Sequence, residues 1–294
     1  MIESIENMMS LTPLYHSLER ATIIGNADGD WSPCNDGATI TFNATVHTNT
    51  INICNGPYAG VSEAFTVDRS ENDQAFVEIL TTVAQSLVSQ IDCWPSSGLT
   101  TAVMLAVISK HVSLMRMSLL PSLARCENMA ASETLPCMVH NWLGERRIAL
   151  GIALTHPHLY WPELYIQPTV LHESSQQFID DPFAILLGAG KSSENEEIDP
   201  SQISRLKIQA QRPNDYEEQL TILKNLASLD IHYWLSAATQ QKLLKCEKLF
   251  YNQTPEDKLS NWFLVDLKAS QLLDPIRHQL AYCQQVLVLQ HIKD

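Results

Sequence analysis

This chain is short of basic side chains: 19 Lys and Arg stand against 33 Asp and Glu, a net charge of −14. Such a surface repels phosphate backbones and anionic headgroups, which argues against nucleic-acid and membrane-surface partners. No apolar stretch reaches the ~18 residues that cross a bilayer. The cysteines, at 34, 54, 93, 126, 137, 246 and 283, include no C-x-x-C pair. Neither a zinc knuckle nor a disulfide framework is therefore expected. The opening residues Met1 to Ser10 show no basic stretch followed by an apolar run, so no signal peptide is expected. On that basis the thiols are expected to be reduced, mostly buried, and in a cytoplasmic protein. A Gly-rich phosphate loop, a G-x-S-x-G elbow and a dinucleotide fingerprint are all missing. Cysteine catalysis has little support, because only Cys126, after Arg125, has a basic neighbour to lower a thiol pKa.

What is present is a globular composition, 45% apolar over 294 residues, enough for one large domain or two ordinary ones. Ile40, Phe42, Ala44 and Val46 alternate with polar neighbours and predict a half-buried strand. The alternation resumes at Ile51 and Ile53 after a turn at His47 to Asn49, which predicts a hairpin. Phe76, Ile79, Leu80, Val83, Leu87 and Ile91 recur at helical spacing, with Ser70 and Asp73 as capping groups. The apolar runs Ala102 to Ser109 and Arg147 to Leu154 are predicted as buried strands. Residues 182–199, rich in Pro, Gly, Ser and acid, are predicted as a surface loop.

Beyond Tyr216 the pattern is helical. One stripe runs through Leu220, Leu223, Ala227, Ile231 and Trp234, and Thr254 to Asp257 looks like a helix start. Another stripe runs through Leu273, Ile276, Leu280, Cys283 and Leu287, after a break at Asp274-Pro275. The fold class predicted is α+β: residues 1–168 as a half with a mixed sheet and helices, and 169–294 as a mostly helical half.

The stretch with most chemistry is His172-Glu173-Ser174-Ser175-Gln176. A helix carrying His-Glu-x-x-His sets two imidazoles one turn apart with a carboxylate beside them, a divalent-metal arrangement. Here the second imidazole is replaced by Gln176, a weak neutral ligand. Leu171 to Phe178 resembles the corresponding segment of the His-Glu-x-x-His peptide-modification proteins of ribosomal peptide natural product pathways. The resemblance extends loosely over residues 146–294. It includes Arg212-Pro213, where the family has an Arg-Pro followed shortly by a further His; in this chain that His position holds Gln219.

The resemblance implies a hydroxylase using Fe(II) and 2-oxoglutarate on a precursor peptide. His172, Gln176 and Gln219 would stand at the metal, Glu173 beside it, and Arg212 would clamp the co-substrate carboxylate. Two glutamines at ligand positions weaken ordinary iron chemistry. A second expectation is therefore an inactive homologue without cofactor that binds the precursor peptide or a partner enzyme, and a third is an unrelated α+β interaction protein. His156 and His158, either side of a proline, are alternative ligands. His232, among apolar neighbours, reads as a packing residue, and His278 and His291 fall on the last predicted helix.

Overall fold

The computed structural model describes residues 15–33, 36–43, 45, 47–56, 64–68, 74–129, 133, 135–168, 181–189, 214–251 and 262–290. Two compact units are formed, Met1–Leu119 with Glu145–Tyr165, and Leu120–Gly144 with Ile166–Asp294.

The first unit is built on six strands: β1 (Arg20–Ile24), β2 (Ala38–Phe42), β3 (Ile51–Asn55), β4 (Phe65–Asp68), β5 (His111–Met115) and β6 (Leu159–Tyr160). They lie in the order β4-β3-β2-β1-β5-β6, with β4 antiparallel to β3 and every other pairing parallel. The sheet is thus mixed, as expected, but the expected hairpin is a parallel pair, with Ile40 opposite Ile51 and Phe42 opposite Ile53. An eight-residue link, 43–50, doubles back to start β3 in the direction of β2. Buried Asn52 ties that link down, its Nδ2 donating to Thr45 O at 2.9 Å and Thr41 Oγ1 at 3.1 Å. Alternation reports which face a residue is on; it carries no information about strand direction.

Helix α1 (Gln74–Ile91) forms where its apolar stripe predicts, and Phe76, Ile79, Leu80, Val83, Leu87 and Ile91 are all buried. The proposed caps Ser70 and Asp73 lie outside the described residues. Two predicted strands are helices. The run from Ala102 belongs to α2 (Ser97–Ile108), and Arg147 to Leu154 belongs to α3 (Trp142–Thr155). Nearly every side chain of α2 is buried, so no polar face marks its period. A short apolar run of that kind is ambiguous between strand and buried helix. In α3 the buried Glu145 and Arg146 break the apolar pattern on the inward side.

The second unit is helical: α4 (Pro182–Ala189), α5 (Tyr216–Ala227), α6 (Ile231–Ala237), α7 (Gln240–Glu247), α8 (Trp262–Val265) and α9 (Leu267–Gln290). Residues 182–189 are not a surface loop, since Phe183, Leu186 and Ala189 are buried; 190–199 lie outside the described residues. Phe183 meets Trp234 edge-on, ring centroids 5.2 Å apart, in a core shared with Leu223, Phe263, Leu273 and Ile276. The single stripe predicted beyond Leu220 is divided between α5 and α6, because Asp230 caps a new helix by accepting from His232 N. Pro275 does not break α9. It removes one backbone donor, and the carbonyl it deprives belongs to Gln271, which is exposed to water.

Candidate functional site

Five parallel strands leave their C-terminal residues, Ile24, Phe42, Asn55, Met115 and Tyr160, along one edge of the sheet. After β1 the chain moves to β2 and β3 on one side; β5 and β6 then fill the other side. The ends of β1 and β5 therefore form the topological switch point of the sheet, the place along this edge where parallel sheets take their ligands.

Helix α2 brings its N-terminus to the same edge. Only two residues separate Ile108 from β5, so α2 must run back along the sheet, and its 12 residues span about 18 Å. A side chain at Gly98 would lie 2.5 Å from Met117 Sδ, placing the first turn of α2 against the segment after β5. Ser96 caps the helix, its Oγ accepting from Leu99 N. The buried Glu145 holds the cap, accepting from Ser96 N at 2.7 Å and Ser96 Oγ at 2.5 Å. Ser97 and Thr101 lie one turn apart, 4% and 0% exposed, and neither hydroxyl has a hydrogen-bond partner among the described residues. Two buried orphan hydroxyls on one face cost free energy unless something accepts from them. They add two hydroxyl donors to the start of α2, where the amides of Ser96 and Leu99 are already taken by Glu145 and by the Ser96 hydroxyl.

The turn from Gly25 to Asp30 after β1 packs against the segment that follows β5. Gly25 N donates to Met115 O at 2.9 Å, locking the ends of β1 and β5 together. A Cβ at Gly25 would overlap the Arg116 carbonyl, so only glycine fits. Asn26 Oδ1 accepts from Thr45 Oγ1 at 2.8 Å, joining this turn to the link after β2. Trp31, partly exposed, stacks on His47 with ring centroids 3.9 Å apart. Arg146, fully buried, donates through Nη1 to Ser118 O at 2.7 Å and braces the chain beyond β5. Chemically, what this edge offers a ligand is hydroxyl and remaining backbone N–H donors at the start of α2.

The residues singled out in the sequence lie elsewhere. His172, Glu173, Gln176 and Arg212 fall outside the described residues, as does His291. Gln219 lies in the first turn of α5, its Nε2 donating to Asp215 Oδ2 at 2.8 Å. His156 and His158 meet edge-on at 5.7 Å, and His158 Nε2 is engaged with Ala106 O at 3.0 Å. Among the described residues no group of three His, Cys, Asp or Glu side chains is placed to hold a metal. His232 is exposed and does not pack in the core: it sits at the start of α6, where only the flanking Ile231 and Trp234 turn inward. Of the cysteines, Cys246 and Cys283 are buried, while Cys54, Cys93 and Cys137 are half-buried and Cys126 is exposed. Fewer thiols are buried than composition suggested.

The switch-point residues did leave traces in the sequence. Gly25 and Gly29 punctuate a polar turn after the apolar run Ala21 to Ile24, and Trp94-Pro95-Ser96-Ser97-Gly98 is a helix-start cluster. Comparison with protein-family models, with curated proteins and with solved structures finds no match to this chain.

Proposed function

We propose that the protein binds a nucleotide-type ligand, a small molecule bearing phosphate, at the switch point formed by the ends of β1 and β5. The observation that carries this reading is the first turn of α2, where buried Ser97 and Thr101 hydroxyls lack partners among the described residues, beside a parallel-sheet switch point. Charges beyond about 8–10 Å are screened at physiological salt, so the net charge of the chain bears less on this site than the Glu145 carboxylate at the α2 cap. Purified protein titrated with nucleoside 5′-monophosphates and diphosphates is the test. At a ligand concentration of about a hundred times Kd, stabilisation of roughly 2.7 kcal/mol is expected as a rise in Tm. Replacing Ser97 and Thr101 by Val should remove most of that rise. If no nucleotide at millimolar concentration moves the wild-type Tm, the reading fails.

A second reading, peptide hydroxylation with Fe(II) and 2-oxoglutarate, is supported by the His172-Glu173 segment and its family resemblance. It would make a precursor peptide the partner. Metal analysis of protein purified with iron supplied tests it: stoichiometric metal that is lost in His172→Ala supports it, and metal-free protein removes it.

A further inference from the structure

The turn that ends β5 is held in a conformation that local chemistry alone would not select. Arg116 adopts φ +55°, in the left-handed region that costs an L-residue roughly 1–2 kcal/mol. Two interactions hold it there. Glu163 presents one carboxylate oxygen to Arg116 N and the other to Met117 N, each at 2.6 Å. The indole of Trp161 donates to Met117 O at 2.7 Å, so the peptide on either side of Met117 is fixed. Strain maintained this way is characteristic of sites where a side chain has to be aimed.

The side chain so aimed is a guanidinium at the switch point. Its Nε donates to Ala27 O in the β1 turn, and a Cβ at Gly29 would lie 3.1 Å from its Cγ. Arg116 therefore lies directly on the glycine-containing turn after β1, at the switch point of the sheet. Among the described residues no carboxylate forms an ion pair with its two terminal nitrogens. Glu163, the nearest acid in the turn, spends both oxygens on backbone amides. The result is a pre-oriented planar fork.

We propose that Arg116 is the anion-clamping, specificity-determining residue of this site, pairing through its terminal nitrogens with two phosphate oxygens of the ligand. The inference rests on the nucleotide-binding reading and names the residue that makes the site select for phosphate. The rigid fork matches two oxygens of one phosphate, which a lysine point charge would not reproduce.

Isothermal titration of wild type, Arg116→Lys and Arg116→Gln with the nucleoside 5′-monophosphates, at several NaCl concentrations, tests it. For the nucleotide that binds wild type, Arg116→Gln should raise Kd by about tenfold to a hundredfold, and Arg116→Lys by less. The wild-type Kd should climb with salt, and that dependence should largely vanish in Arg116→Gln. Were Arg116 only a staple between the β1 and β5 turns, the variant would weaken binding but keep the salt dependence, and the proposal would be overturned. An unchanged Kd in Arg116→Gln would overturn it too while leaving the nucleotide site standing. Absence of nucleotide binding by the wild type would remove both.

Discussion

At the scale of single residues, the first unit depends on positions where nothing else fits. Gly25 is one: any Cβ there overlaps the carbonyl of Arg116, a backbone atom that cannot rotate away. Gly25→Ala is therefore expected to cost about 3 kcal/mol by overpacking and to loosen the switch point. Gly151, in α3, is the contrasting case, since a Cβ there meets nothing within 4 Å. Gly151→Ala should stabilise by roughly 0.5–1 kcal/mol, the usual gain of alanine over glycine inside a helix. Urea unfolding of both variants checks the pair; opposite signs are expected, and a stabilising Gly25→Ala would contradict the tight approach of the two turns. The sequence marks Gly25 only as a punctuating glycine. What forbids a side chain is the carbonyl 91 positions along, and that contact exists only once β1 and β5 are paired.

At the scale of elements, α9 shows how a local rule is overridden. Pro275 predicts a helix boundary, yet the helix runs from Leu267 to Gln290. Two contacts secure the chain around the proline. Asp274, one residue before it, accepts from Leu123 N at 2.9 Å and Ser122 Oγ at 2.5 Å. Arg277, one turn on from Asp274, donates to Pro121 O at 2.7 Å. Burial pushes the Arg277 pKa down, and the nearby Asp274 carboxylate opposes that shift. Tertiary contacts of this sort outweigh a proline whose deprived carbonyl is solvated. Pro275→Ala should restore the missing hydrogen bond and stabilise the protein by about 1–3 kcal/mol, read as a higher denaturant midpoint. A lower midpoint would mean that the bend made by the proline is needed to place Asp274 and Arg277.

At the scale of the whole molecule, the second unit is a helical core whose buried groups set its response to alkali. Cys246 is pushed up to about 12, mainly by burial and then by Asp181 and Glu247. Burial alone pushes Cys283 up to about 12. A raised thiol pKa means that the folded state resists ionisation of these groups. The stability they contribute is complete below the ordinary thiol value of 9.0 and is lost as pH climbs towards about 12. Urea midpoints should accordingly fall from pH 9 upward, and less steeply in a Cys246→Ala, Cys283→Ala double variant. Mass spectrometry after brief alkylation at pH 8 should find Cys126 modified and both buried cysteines intact; early labelling of Cys246 or Cys283 would show that the core is not closed.

The sequence by itself determined the elements whose apolar residues recur at a clear period, although β2, expected to be half-buried, is buried at every position. Helix α1, the Leu273 to Cys283 stripe of α9 and the strand character of 40–42 and 51–53 follow from period alone. Only the tertiary structure decided what period cannot encode. Strand direction is one such property, because parallel and antiparallel neighbours show the same alternation. The identity of α2 is another, because a helix buried on all sides has no polar face to reveal its turn. The switch point is the third: the β1 turn, the start of α2, the end of β5 and Glu163 are far apart in the chain. A parallel sheet brings such segments together by placing all its C-terminal strand ends on one edge. Each local segment looks ordinary, and the site exists only in their juxtaposition.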